Sequence, residues 1–130
     1  QHQTVSMLNY LQNGATKLFR FISITKLFKY FNFVEESERH LEDSAEYDWY
    51  LMMLAVTPDY QRKGIGSRFL LEGVEPFVRS TGGRSLGLIT NRDYNVPFYE
   101  KNGYKLCGYK VLTYENHKLG NWPFVKPLDA

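Results

Sequence analysis

Several features that often define a protein's class are scarce in this sequence. Cys107 is the single cysteine, so no disulfide can form within the chain and a reducing compartment is indicated. No uninterrupted apolar run is long enough to cross a membrane, and no stretch has the pattern of a signal peptide. We therefore expect a soluble, cytoplasmic protein with no membrane partner.

An excess of positive or of negative charge is also lacking. The chain has 16 Lys and Arg residues against 14 Asp and Glu, a formal net charge of +2, which is too small a bias to indicate a nucleic-acid partner. His2, His40 and His117 lack the spacing of metal ligands, so no metal site is predicted. Apolar residues are abundant, at 43% of 130 residues, which is enough for one domain with a substantial core.

The first third of the chain is predicted to be helical. Residues 4–14 and 16–33 have apolar residues at helical spacing, although residues 18–24 would also fit a strand, and residues 34–43 have the mixed charges of an exposed helical turn or two. The apolar stripe predicted in 16–33 consists of Leu18, Phe21, Ile24 with Thr25, Phe28 and Phe31.

Strands and helices alternate from residue 48 onward. The nearly continuous apolar run at 48–56 predicts a strand buried on both faces, which Pro58 ends. Residues 65–80 have apolar residues at helical spacing, and Pro76 predicts a kink or a break in that helix. A turn at 81–83 then leads to a second predicted strand.

The last third of the chain continues the alternation. After the strand at 84–90, a compact helix is predicted with Asn95 at its N-cap and Gly103 past its end. Two further strands, 104–115 and 122–128, are predicted to be joined through residues 116–120. This order of elements predicts an α/β or α+β fold, with helices packed on a sheet.

The segment VTPDYQRKGIGSRFLLEG, residues 56–73, places two cations and two glycines where a helix is about to begin. The start of a helix offers unpaired backbone N–H groups and the positive end of the helix dipole. Gly64 and Gly66 would let a ligand approach the main chain without meeting a Cβ, and Arg62 and Lys63 add positive charge. The segment therefore predicts an anion site suited to a pyrophosphate.

Two known phosphate-binding motifs do not fit this segment. The P-loop motif is absent, and Phe69 stands where the dinucleotide-binding fingerprint needs its third glycine. A further alternative for an isolated Gly-x-Gly is that Gly64 and Gly66 only shape a tight strand-to-helix turn.

The context of the loop resembles that of the GCN5-related N-acetyltransferases (GNAT). Their acetyl-CoA-binding motif, Gln/Arg-x-x-Gly-x-Gly/Ala, is met by Gln61, Gly64 and Gly66 between a strand and a helix. The later helix pattern of the family, Asn-x-x-x-Tyr-x-x-x-Gly-Tyr/Phe, is met by Asn95, Tyr99, Gly103 and Tyr104. This resemblance, which extends from residue 47 to about residue 128, predicts an acyl-CoA N-acyltransferase-like mixed sheet flanked by helices.

The resemblance implies acetyl-CoA as co-substrate. The first strand would hydrogen-bond the pantetheine arm in a gap between the two central strands, and an amide near Ala55 or Val56 would face the thioester oxygen as an oxyanion donor. Arg92 and Lys101 are candidates for contacting the adenosine 3′-phosphate. The residues that the resemblance assigns to the co-substrate are Leu54, Ala55, Val56, Gln61, Arg62, Lys63, Gly64, Ile65, Gly66, Ser67, Asn95 and Phe98.

Tyr99 is the residue to which the resemblance assigns catalysis. A phenol with a pKa of about 10 can donate a proton to a departing thiolate, whose thiol has a pKa of about 8.5. The alternative is a core tyrosine on the inner face of its helix. Asn95 would either touch the pantetheine or only cap its helix. Glu46 and Asp48 are candidates for a general base acting through water.

The predicted function is transfer of an acetyl group from acetyl-CoA to an amine of a small molecule or a protein. The alternative is a non-catalytic module that binds CoA or another phosphorylated ligand, or a regulatory domain. Residues 1–46 depart from the family, which opens with strands that are not recognisable here. We therefore expect a helical segment, 1–46, packed on an acetyl-CoA-binding core, 47–130. We expect the leading strands to be missing from this chain, the alternative being a partner chain, such as a second copy in a homodimer, that supplies equivalent pairing.

Overall fold

The computed structural model of the protein describes residues 23–128. The helix predicted at 4–14 and the beginning of the one predicted at 16–33 lie outside the described residues. The helices are α1 (Ile24–Ser44), α2 (Ile65–Arg68), α3 (Glu75–Ser80) and α4 (Val96–Lys101), with a π-helical segment (Phe69–Val74) joining α2 to α3. The strands are β1 (Trp49–Leu51), β2 (Ser85–Thr90), β3 (Lys105–Leu106), β4 (Lys110–Tyr114) and β5 (His117–Pro127).

Strand β5 is the centre of a mixed five-stranded sheet. Its second half pairs antiparallel with β2 on one side and with β3 on the other, and its first half forms a hairpin with β4. β1 runs parallel to β2, which gives the order β1-β2-β5-β3 with β4 attached to β5. A mixed sheet flanked by helices confirms the predicted fold class.

The core lies between the sheet and the helical residues of the π-helical segment, α3 and α4. Its buried members are Leu70, Val78, Leu86, Leu88, Tyr99, Tyr104, Phe124 and Leu128. All eight lie in the second half of the chain. The strands β2 and β5 contribute Leu86, Leu88 and Phe124, and the helical segments contribute Leu70, Val78 and Tyr99. This cluster joins the helix that follows the glycine loop to the helix that bears Tyr99.

Helix α1 packs on the sheet through its C-terminal half. Leu41 is buried, and a Cβ at Gly87 of β2 would lie 3.2 Å from the Leu41 Cδ2 atom, so the glycine allows this close approach. The predicted apolar stripe does not form the buried face, because Ile24 and Phe28 are at least half exposed. The members of the stripe within the described residues lie in the N-terminal half of α1, whereas the buried residues of this helix, Ser37 and Leu41, lie in its C-terminal half. None of the helices within residues 23–128 is both long and apolar enough to cross a bilayer.

The strand predicted at 48–56 is much shorter than expected. β1 covers only Trp49–Leu51, and it is the edge strand of the sheet within the described residues, paired only with β2. Met52 and Met53, which follow it, are 69% and 72% exposed. The prediction of burial on both faces was wrong, because an apolar run carries no information about which neighbours flank it.

Pro76 does not break the helix at 65–80. The π-helical segment precedes it, and the N–H of Glu75 donates to Leu70 O, five residues back. A proline lacks the N–H that an α-helix needs and its ring crowds the carbonyl one turn earlier, so a wider turn accommodates it. The chain stays helical from α2 through α3, so the predicted break does not occur.

The C-terminal strands differ from the prediction in their bounds. Residues 107–109 separate β3 from β4, so the predicted strand at 104–115 is divided in two. The connection predicted at 116–120 belongs largely to β5, which begins at His117. Glu115 has a positive φ of 54°, a conformation that suits a tight hairpin turn, and the reversal is therefore complete within two residues.

Candidate active site

A cavity of about 950 Å³ opens beyond the end of β1. One wall is the chain that follows β1, residues 54–67, and the other is the start and outer turn of α4, residues 94–101. The lining residues are Leu54, Ala55, Val56, Tyr60, Gln61, Arg62, Gly64, Ile65, Gly66, Ser67, Tyr94, Asn95, Phe98, Tyr99 and Lys101. The two sequence motifs, which are far apart along the chain, thus meet in one cleft.

The cleft begins where β1 and β2 stop pairing. Their last paired residues are Leu51 and Leu88, although β2 continues to Thr90. Within the described residues, the main-chain amides of 54–56 donate to no protein acceptor. The main chain of this stretch is therefore open to a ligand.

The amides of the glycine loop are also unpaired. Before the loop, the N–H of Gln61 donates to Pro58 O at 3.2 Å, and after it the N–H of Arg68 donates to Gly64 O at 3.0 Å. In the part of the chain that the structure describes, the amides between these two bonds, those of residues 62–67, donate to no protein acceptor. Such a run of unpaired donors at a helix start is suited to an anion.

Gly64 and Gly66 are each required to be glycine for a different structural reason. Gly64 precedes α2 with a φ of +77°, a left-handed conformation that favours glycine, and this agrees with the tight-turn alternative. A Cβ at Gly66 would lie 3.2 Å from the Phe98 Cζ atom, so this glycine lets the loop approach α4 closely. A tight turn alone, however, does not explain why the neighbouring amides have no acceptor.

Gln61 and Lys63 differ from the other loop residues in what they contact. The Nε2 of Gln61 donates to Val56 O at 2.8 Å, which ties the loop to the chain leaving β1. Lys63 and Arg92 are the two residues predicted to contact the co-substrate that do not line the cavity, and the Lys63 Nζ atom lies 5.5 Å from the centroid of the Tyr60 ring.

Tyr99 has a buried ring and an accessible hydroxyl. The residue is 8% exposed, and its ring contacts those of Phe98, Tyr104 and Phe124 at centroid distances of 5.1, 5.9 and 5.6 Å. Within residues 23–128 no hydrogen bond to its hydroxyl is formed, and no fully buried side-chain oxygen lacks a partner, so this oxygen is reached from the cleft. Burial raises the pKa of Tyr99 above its usual value of 10, which keeps the hydroxyl protonated.

Asn95 occupies the N-cap position of α4 but does not cap it. Its side chain makes no hydrogen bond to the helix amides, and Nδ2 instead donates to the Thr90 Oγ1 atom at 3.0 Å. This bond joins the end of β2 to the start of α4. The capping alternative is therefore wrong, and contact with the pantetheine stays a prediction.

Glu46 and Asp48 lie at the opposite end of β1 from the cavity and do not line it. Asp48 is already engaged, since its Oδ2 accepts a hydrogen bond from the N–H of Arg84 at 2.7 Å. Neither residue is placed to act as the general base that the sequence suggested. Among residues 23–128, no cluster of three or more His, Cys, Asp or Glu side chains is arranged to hold a metal ion.

Two lining residues were not predicted from the sequence. Tyr60 and Tyr94 are exposed aromatic residues on the two walls of the cavity. Each lies directly before a motif, one residue ahead of Gln61 and of Asn95. That adjacency is the signal that could have identified them.

Comparison with known proteins places this architecture in a family. Residues 25–106, more than half of the chain, match the family model described as an acetyltransferase (GNAT) domain. The chain therefore belongs to the GNAT acetyltransferase family.

Individual relatives match only over part of their length. The tRNA(Met) cytidine acetyltransferase TmcA of Aeropyrum pernix is 37% identical over 84 residues, which are 63% of this chain and 11% of that protein. A solved GCN5-related N-acetyltransferase of Rhodopseudomonas palustris has a TM-score of 0.53 at 24% identity, covering 60% of this chain and 48% of its own. The ribosomal-protein-S18-alanine N-acetyltransferase of Escherichia coli has a TM-score of 0.52 at 25% identity, covering 62% and 54%. The chain thus spans about half of these solved structures and a small part of TmcA.

Proposed function

We propose that this chain is an acetyl-CoA-dependent N-acetyltransferase, with residues 47–130 as its co-substrate-binding core. The observation that carries the proposal is the run of unpaired amides at residues 62–67, which lines the same cavity as Tyr99. Membership of the GNAT family supports the assignment of these amides to the diphosphate of coenzyme A.

The shape and charge of the cavity support binding of the whole donor. The diphosphate lies on the amides of 62–67, where Arg62 adds a positive charge and Lys101 faces it from the other wall. The pantetheine arm runs from there along residues 54–56, whose unpaired amides offer it the hydrogen bonds of an added strand. This path brings the thioester towards Tyr99.

The proposed reaction is direct attack of an amine on the thioester. A bond forms between the amine nitrogen and the carbonyl carbon while an amide near Ala55 or Val56 stabilises the oxyanion. The carbon–sulfur bond then breaks, and the Tyr99 hydroxyl donates its proton to the departing thiolate. The proton that the amine loses passes to water, since none of the described residues lining the cavity is a carboxylate or a histidine. Tyr99 is reprotonated from solvent before the next cycle.

The acceptor has two candidate classes. A primary amine of a small molecule or a protein is the first, and it agrees with the small net charge of +2. The exocyclic amine of a cytidine in tRNA is the second, and the 37% identity with TmcA favours it. A module that binds CoA without turnover is the alternative to both.

Release of free thiol from acetyl-CoA tests the proposal. The full chain is incubated with acetyl-CoA and, separately, with a polyamine, a peptide with a free N-terminus and unmodified tRNA, and binding of acetyl-CoA is measured by calorimetry. We expect binding, and thiol release that depends on one class of acceptor. Binding without release for any acceptor would favour the non-catalytic module, and absence of binding would contradict the proposed site.

A further inference from the structure

Two aromatic side chains at the cavity have no part in the chemistry described above. Tyr60 is 58% exposed and Tyr94 is 72% exposed, and both line the cavity. Single exposed tyrosines are common on protein surfaces. Two of them on the facing walls of one ligand-sized cleft, each directly before a motif, indicate a ligand surface instead.

Their position relative to the loop defines which part of a ligand they would meet. A diphosphate on the amides of 62–67 sends one substituent inward along 54–56 towards Tyr99. Its other substituent, the nucleoside, must leave in the opposite direction. Tyr60 precedes those amides on one wall, and Tyr94 is on the other.

The surroundings of the two rings leave them open. In the described part of the chain, neither ring packs against another aromatic ring, and the only cation near Tyr60 is Lys63, whose Nζ lies 5.5 Å from the ring centroid. Tyr94 is on a turn (Asp93–Asn95) that is held by a hydrogen bond from its own N–H to the Asp93 Oδ1 atom at 2.8 Å. The cavity volume of about 950 Å³ is at the upper end of the usual range for ligand sites, which leaves room for more than phosphopantetheine.

We propose that Tyr60 and Tyr94 form a binding surface for the purine base of the donor, on which the base stacks. This inference rests on the proposed function and goes beyond it, because it makes the chain selective for nucleotide-bearing donors over acyl groups carried on phosphopantetheine alone. Stacking of a base on an aromatic side chain contributes measurably to binding wherever it has been removed by substitution with alanine.

The test compares two donors on variants of the full chain. Dissociation constants are measured by calorimetry for acetyl-CoA and by competition for acetyl-4′-phosphopantetheine, which lacks the nucleoside. Tyr94→Ala and Tyr60→Ala are each expected to weaken acetyl-CoA binding by about tenfold and to leave acetyl-4′-phosphopantetheine unchanged. Tyr94→Phe and Tyr60→Phe, which keep the ring, are expected to bind acetyl-CoA as the unsubstituted chain does.

Tyr109→Ala is the matched control, since Tyr109 is 58% exposed and does not line the cavity. It should leave both dissociation constants unchanged. Equal weakening of both donors by the alanine variants, or no weakening of either, would overturn the stacking proposal while leaving acetyl-CoA binding intact. Failure of the unsubstituted chain to bind acetyl-CoA would instead overturn the proposed function together with this inference.

Discussion

The side chain of Tyr99 combines a ring packed in the core with a hydroxyl that opens to the cleft. The packing against Phe98, Tyr104 and Phe124 restricts where that hydroxyl can lie. Removing the oxygen alone would keep the packing, so the substitution Tyr99→Phe separates the catalytic interpretation from the structural one.

We expect Tyr99→Phe to lower kcat by about a hundredfold, the lower range for loss of a general acid, with KM for acetyl-CoA nearly unchanged. Because burial raises the pKa of Tyr99 above its usual value of 10, its acid form predominates below pH 10, and the rate of the unsubstituted enzyme should not fall there through deprotonation of Tyr99. Steady-state rates between pH 7 and pH 10 for both proteins measure this. An unchanged kcat in the variant would reduce Tyr99 to a core residue.

At this scale the sequence was informative where a motif constrains the backbone. Of the residues predicted to contact the co-substrate, all but Lys63 and Arg92 line the one cavity. Tyr60 and Tyr94 were missed because an exposed aromatic residue has no pattern of its own. Glu46 and Asp48 were suggested as a general base although they precede the strand, because the sequence does not show which end of a strand faces a cleft.

Among the elements, α3, α4 and β5 meet at one buried ion pair. Nζ of Lys126 donates to both carboxylate oxygens of Glu75, at 2.8 and 2.9 Å, and to the main-chain oxygen of Asn102 at 2.9 Å. The hydroxyl of Tyr104 donates to the same carboxylate. The pKa of Tyr104 is raised most by burial, next by the charge of Glu75 and then by this hydrogen bond. The group connects the end of the Tyr99 helix to the helix that follows the glycine loop.

We expect Lys126→Met to destabilise the fold by about 3 kcal/mol, because it leaves the Glu75 carboxylate buried with Arg79, at 3.7 Å, as its one remaining cationic partner among residues 23–128. Urea unfolding followed by circular dichroism measures the change. Arg39→Met is the matched control, since it removes an exposed ion pair with Glu35 and should cost less than about 1 kcal/mol. Equal effects of the two substitutions would contradict this account of the buried pair.

Element positions were predictable from the sequence where spacing and turn residues agree. The strand at 84–90 and the helix closed by Gly103 are present with bounds close to those predicted. The π-helical segment, the split at 107–109 and the short β1 were not predictable, because each depends on contacts between segments distant in the chain. The Glu75–Lys126 ion pair was not predictable for the same reason, because its partners are 51 residues apart in the chain.

For the molecule as a whole, the proposed function predicts that donor binding and folding are linked. A ligand that binds only the native state at a hundred times its dissociation constant stabilises that state by about 2.7 kcal/mol. For a chain of this size we expect acetyl-CoA to raise Tm by on the order of 10 °C at that concentration. A thermal-shift titration measures it, with AMP at the same concentration as the control for weak nucleotide binding. No shift at any acetyl-CoA concentration would contradict the proposed site.

Under the proposed function, the gap beyond Leu51 and the unpaired amides of residues 62–67 contact only the part of the donor that the reaction leaves unchanged. The groups that they hold, the pantetheine arm and the diphosphate, are the same in acetyl-CoA and in the spent coenzyme. The main-chain bonds that admit the donor therefore also retain the carrier after the acetyl group has gone. Under the proposed function, free coenzyme therefore competes with acetyl-CoA for the same main-chain donors, and the ratio of acetylated to free coenzyme in the surroundings regulates how often the cycle runs.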